Sequence, residues 1–148
     1  MIRIAEARDF NGIMDLLHEL NPDDPVIENG RDKAVFDATL RNPNLRLFVN
    51  VENEKVISTC YLNIIPNLTR NASPYAVIEN VVTNAAYRNR GYGKAVILFA
   101  LDYAWQAGCY KVMLQTGRKE ESTHRFYRSC GFNAIEKTAY ITHPAKRP

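Results

Sequence analysis

The run Tyr87-Arg88-Asn89-Arg90-Gly91-Tyr92-Gly93-Lys94 holds the densest chemistry in the chain, two glycines set among three cations. Glycines at this spacing let successive backbone N–H groups turn toward one point, and a helix starting there adds its positive end, so together they make an anion site. No acidic residue stands between 84 and 101, so Arg88, Arg90 and Lys94 reinforce that end. Phosphate is the natural ligand. A glycine-started helix with a solvated basic turn would carry the same residues, and the run alone leaves both readings open. A dinucleotide fingerprint would need Gly or Ala at Val96, and a P-loop would need Gly at Arg88 and Ser or Thr at Ala95.

Two further residues stand out by type and setting. Glu79 interrupts an apolar run and must face solvent, a partner or a cleft; it is either a general base or an ion-paired strand glutamate. Tyr127 beside Phe126 is either a packed aromatic or a phenol able to give up a proton. His18, His124 and His143 are too scattered, and Cys60, Cys109 and Cys130 too isolated, for a metal site by spacing. His124 stands one helical turn before Tyr127, on a cleft or on a solvated face. Cys130 is six residues from His124 and on a different helix face, which argues against an acyl-cysteine intermediate.

The elements that must position these residues follow from periodicity. A strand over 2–7 leads to a helix capped by Asp9, with Ile13, Leu16, Leu17 and Leu20 at helical spacing. Asn21-Pro22-Asp23-Asp24-Pro25 stops it. A second helix over 31–40 turns Ala34, Val35, Ala38 and Phe36 inward, and strands over 45–51 and 56–65 pair antiparallel across the turn 52–55. The strand 75–83 is apolar on both faces and therefore central. A loop leads into a helix over 91–107 with a wide apolar surface, ended by Gly108 and followed by a strand over 110–116, a βαβ unit with a parallel pair. A helix over 121–130 ends at Gly131, and residues 132–142 return as a last strand. The fold class is α/β (α+β): a mixed, mostly antiparallel sheet with a central parallel pair and helices on both faces.

Length and composition bound the rest. The 148 residues, 46% hydrophobic and 24% charged, make one domain over 1–148, with a core that needs no staple. The net charge of +3 equals the sum of Arg88, Arg90 and Lys94, so the excess is local and no aromatic-basic stripe accompanies it, which argues against a nucleic-acid binder. No secretory h-region or membrane-length apolar run is present, and three widely spaced cysteines suit a reduced chain; the expected location is cytoplasmic, with no membrane partner.

The run Arg88-Asn89-Arg90-Gly91-Tyr92-Gly93 resembles the [RQ]-x-x-G-x-[GA] signature of the GNAT superfamily, the acetyl-CoA-dependent N-acetyltransferases, and Phe126-Tyr127-Arg128-Ser129-Cys130-Gly131-Phe132 is similar to that family's second conserved block. From 78 to 132 order and spacing agree with the family; the first half shares only its pattern of elements. The resemblance implies acetyl-CoA as cosubstrate, no metal, and a small-molecule amine acceptor. It assigns Arg88, Asn89, Arg90, Gly91, Tyr92, Gly93 and Lys94 to the pyrophosphate and the backbone of Val81, Val82 and Thr83 to the pantetheine arm, with an oxyanion donor near Val82. It makes Tyr127 the general acid and Glu79 the candidate base, unless water serves. Glu120 and Thr123 stand where members often have Asn and Ala, which weakens one cofactor contact.

Direct transfer in a ternary complex is the implied mechanism, with a homodimer as a common arrangement. The first two helices and the loop 66–74 are expected to shape the acceptor site, and the segments around 108–111 and 126–132 also look similar to glucosamine-phosphate N-acetyltransferases. The alternative is a non-catalytic module of the same fold that binds CoA or another phosphate ligand.

Overall fold

Apolar alternation at the start yields β1 (Ile2–Ile4), cut short of residue 7 because Ala7–Asp9 wind into a 3-10 helix. Asp9 does not cap the next helix with its side chain as expected. Its carboxylate instead accepts two hydrogen bonds from Arg3, at 2.6 and 2.9 Å, and one from the Glu6 N–H at 2.7 Å. Helix α1 (Phe10–Leu20) buries Ile13 and Leu16, and α2 (Arg31–Arg41) follows Gly30. The expected inward face of α2 is corrected: Phe36 is its buried residue, while Ala34, Val35 and Ala38 are exposed. The helix packs through Phe36, which meets Phe10 at 5.2 Å, and through the half-buried Leu40, while Val35 is turned to open space.

Strands β2 (Leu45–Glu52) and β3 (Lys55–Ile65) pair antiparallel across Asn53 and Glu54, both at positive φ as a two-residue type I′ hairpin demands. A short segment α3 (Thr69–Ala72), left-handed at Arg70 and Asn71, precedes β4 (Tyr75–Thr83). A 3-10 turn at Ala85–Tyr87 leads to α4 (Tyr92–Gln106) and β5 (Val112–Leu114). The strand expected over 110–116 keeps only its centre. Its entry is still tied to β4, with Tyr110 N–H on the Pro74 carbonyl and Ala76 N–H on the Lys111 carbonyl, both 3.0 Å.

The sheet runs β1-β2-β3-β4-β5, antiparallel except for the parallel β4–β5 pair, the mixed architecture expected. Neighbours on β2 point to opposite layers. Val49 joins Ile13, Leu16, Phe36, Val56 and Val82 beneath α1 and α2, whereas Phe48 meets Phe99 and Tyr103 of α4 at 5.4 and 5.3 Å. The α4 layer is dense, with Val96, Ile97, Ala100 and Ala104 buried and the Cys60 thiol 3.8 Å from the Val96 carbonyl. Burial pushes that thiol up to about 12, which removes it as a nucleophile.

The computed structural model describes residues 1–145. They divide into two compact units, Met1–Leu114 and the part from Gln115 onward. In the second, α5 (Glu121–Ser129) matches the expected helix, but the strand expected over 132–142 is not formed. Asn133 accepts from the N–H groups of Ile135 and Glu136 and folds the chain into a turn. Ile135, Tyr140 and Ile141, whose apolar character suggested a strand, are exposed.

Candidate active site

The signature run folds as an anion cradle. Asn89 (φ 60°) and Gly91 (φ 83°) are left-handed on either side of Arg90, the alternation that turns successive N–H groups inward. A Cβ at Gly91 would meet nothing within 4 Å, so backbone angle and not space demands glycine there. Gly91 is the N-cap of α4. The first intrahelical bond runs from Ala95 N–H to the Gly91 carbonyl at 2.9 Å, which leaves the N–H groups of Tyr92, Gly93 and Lys94 without helical acceptors.

Side chains brace this cradle from three directions. The Arg88 Nε donates to the Thr83 carbonyl at 3.1 Å, so the loop is clipped to the end of β4. Glu19 of α1 accepts from Asn84 Nδ2 at 2.7 Å and from the Ala85 N–H at 2.9 Å, and lies 3.8 Å from the Arg88 guanidinium. Acid absent along the run is thus supplied in space. Tyr92 donates its hydroxyl proton to Glu52 at 2.7 Å, and this bond raises its phenol above the ordinary range. Arg90 lies over the Tyr87 ring at 5.8 Å.

Beside the cradle, β4 offers an open edge. It pairs with β5 only over Ala76–Ile78, and beyond Ile78 no described strand lies on that side. Asn84 N–H bonds the Ile57 carbonyl at 2.9 Å, which makes Thr83–Ser58 a non-hydrogen-bonded pair and Val82–Thr59 a hydrogen-bonded one. Val82 therefore spends its backbone groups on β3 and Thr83 faces the open edge. The Thr83 and Ser58 hydroxyls meet at 3.1 Å, as side chains do across a non-hydrogen-bonded pair.

The polar interruption of β4 is a bulge. Tyr61 opposes Glu79 and Thr59 opposes Val82, so β4 carries one residue more than β3, and Asn80 takes it up at φ 53°. Glu79 is exposed, not buried in the strand. Asn80 and Tyr61 line a cavity of about 700 Å³ with α1, α2, Leu47 and the connection at Val26–Asn29. Helices α1 and α2 line this cavity, and residues 66–74 do not. Sequence reasoning missed Asn80, Tyr61 and Glu19. Their partners come from other elements, and only an asparagine inside a strand hinted at the bulge.

In the second unit, Tyr127 is half-buried on α5. Its ring meets Phe126 at 5.2 Å and Phe132 at 6.4 Å, and its carbonyl accepts from the Cys130 and Phe132 N–H groups at 3.0 and 3.2 Å. His124 is half-buried on the same helix, and Arg128 pairs with Glu121.

A model of the acetyltransferase (GNAT) family matches residues 13–132, a span that runs from α1 through the cradle to the second aromatic block. The chain belongs to this family. Glucosamine 6-phosphate N-acetyltransferase of Trypanosoma brucei brucei is 29% identical over 92% of this chain and 90% of its own length, and the Arabidopsis thaliana enzyme of that name is 27% identical over 95% and 93%. Among solved structures, a protein of Agrobacterium tumefaciens str. C58, provisionally named an acetyltransferase, shares 47% identity at a TM-score of 0.92, covering 97% of this chain and 99% of its own. The Arabidopsis glucosamine-6-phosphate N-acetyltransferase structure shares 25% identity at a TM-score of 0.85, covering 99% and 98%. These likenesses extend over both units, so the GNAT assignment does not rest on the cradle alone.

Proposed function

We propose that the chain transfers the acetyl group of acetyl-CoA to the primary amine of a small molecule by direct attack within a ternary complex. One observation carries this reading: the cradle at 89–94 and the open edge of β4 adjoin through the Arg88–Thr83 hydrogen bond. The cradle suits a pyrophosphate, with N–H donors, a helix end and Arg88, Arg90 and Lys94 around it. The open edge of β4 at Val81 and Thr83 suits an arm that carries amides and needs backbone partners, whereas Val82, expected to serve it too, has its backbone groups on β3. The family match across residue 114 supports one catalytic domain. Cys60 and Cys109 are buried free thiols, which supports a reducing, cytoplasmic setting. Among the described residues no helix is long and apolar enough to cross a membrane.

The neutral amine attacks the thioester carbonyl, the oxyanion collapses, the C–S bond breaks and the thiolate leaves. Tyr127 supplies the thiolate's proton, and Glu79 or water takes the proton from nitrogen. The relatives named for glucosamine 6-phosphate make that amino sugar phosphate a first acceptor to assay.

The test is CoA release across a panel of amines. Tyr127→Phe is expected to lower kcat about 100-fold with little change in KM for acetyl-CoA. Unchanged turnover would remove Tyr127 as the acid, and no release with any amine would favour a binding module.

A further inference from the structure

Resting on the transferase reading above, we infer that the acceptor is a cationic amine on an apolar body, and not a phosphorylated amino sugar. The cavity beneath α1 and α2 carries the argument. Val26, Ile27 and Val35 all line it and stand 73, 44 and 57% exposed, so apolar side chains face open space where the core does not cover them. Such surface favours a ligand that brings apolar area of its own. A sugar, hydroxylated on every side, would leave its hydroxyls without partners along this wall.

The charge of the lining points the same way. Glu28 and Asp32 face the cavity against the single guanidinium of Arg31, a net negative lining. Among the described residues neither carboxylate is in an ion pair; the nearby ammonium of Lys33 is committed to Asp37. An ammonium ion gains from this lining and a dianionic phosphate is repelled by it. At the start of α2, where a phosphate would seek N–H donors, two of them are already engaged. Arg31 N–H donates to Asn29 Oδ1 at 3.1 Å, and Lys33 N–H donates to Asp32 Oδ1 at 2.8 Å. Tyr61 and Asn80 also line the cavity, the latter at the β4 bulge two residues before Val82. An amine seated among apolar walls thus lies next to the strand proposed to hold the thioester.

The experiment compares kcat/KM for 2-phenylethylamine, ethanolamine and glucosamine 6-phosphate at saturating acetyl-CoA. 2-Phenylethylamine is expected to exceed each of the others by at least about tenfold, ethanolamine testing the apolar body and the sugar phosphate testing the charge. In the Glu28→Gln/Asp32→Asn double variant, KM for 2-phenylethylamine should rise about three- to tenfold with kcat and KM for acetyl-CoA held. Higher kcat/KM for glucosamine 6-phosphate, or a double variant with unaltered amine KM, overturns this inference and leaves the transferase reading standing. Silence with all three amines and the wider panel overturns both.

Discussion

Asp9 turns the first strand into the first helix through a carboxylate that is only 5% exposed. Burial works to raise its pKa, but the hydrogen bonds from Arg3 and from the Glu6 N–H together outweigh burial and hold it below the ordinary carboxylate range. Between that lowered value and the unfolded one, the unfolded chain binds more protons than the native state. The contribution to stability is therefore complete above the unfolded value and lost as pH falls through the folded one. Asp9→Asn is expected to cost about 2 to 4 kcal/mol at pH 7, because Arg3 keeps its charge without its partner. The variant should also lose less stability than the parent when urea unfolding is repeated below about pH 4. Equal losses in both proteins would show that Asp9 does not carry the acid sensitivity. The same residue shows how far single positions can be read. Its acidic, cap-like place before a helix was legible, but the Arg3 side chain that claims it comes from the neighbouring strand.

Elements were legible where local chemistry ruled. The proline cluster after Leu20, the hairpin at 53–54 and the glycine-started α4 are decided by residues within one turn of themselves. Elements that depend on distant partners were not. The segment 132–142 has strand-like residues, and the turn held by Asn133 overrides them. In α2 the apolar positions do not mark the packed face, since Val35 lines a cavity and Phe36 alone is buried. The seat of α1 on β3 is equally non-local. A Cβ added at Gly12 would lie 2.9 Å from Val56 Cγ2 and 3.0 Å from its Cβ, and Val56 is itself buried. Gly12→Ala is expected to destabilise by about 1 to 3 kcal/mol, despite the better helix propensity of alanine. Adding Val56→Ala should recover part of the loss, so a double-mutant cycle in urea gives a favourable coupling. Strict additivity would mean that α1 is not held at this distance.

For the molecule as a whole, fold class and the glycine-containing basic loop were readable because strand, loop and helix follow one another without interruption from 75 to 106. The cavity was not, since its lining is gathered from α1, α2 and three strands. The order of the sheet, β1-β2-β3-β4-β5, also has a meaning in time. Strands β2, β3 and β4 join across the short connections 53–54 and 66–74, while β5 must wait for the chain from 84 to 111 to close over it. Loop-closure entropy places the meander early and the crossover late in folding. The cradle sits in that late crossover, so if CoA binds there as proposed it stabilises contacts that the folding transition state has yet to make. Saturating CoA should slow unfolding in a denaturant chevron and leave the refolding arm where it was; a refolding rate that rises with CoA would place the cradle in the nucleus instead. The protein's lifetime against unfolding would then follow the supply of its cosubstrate, whereas the speed of its folding would not.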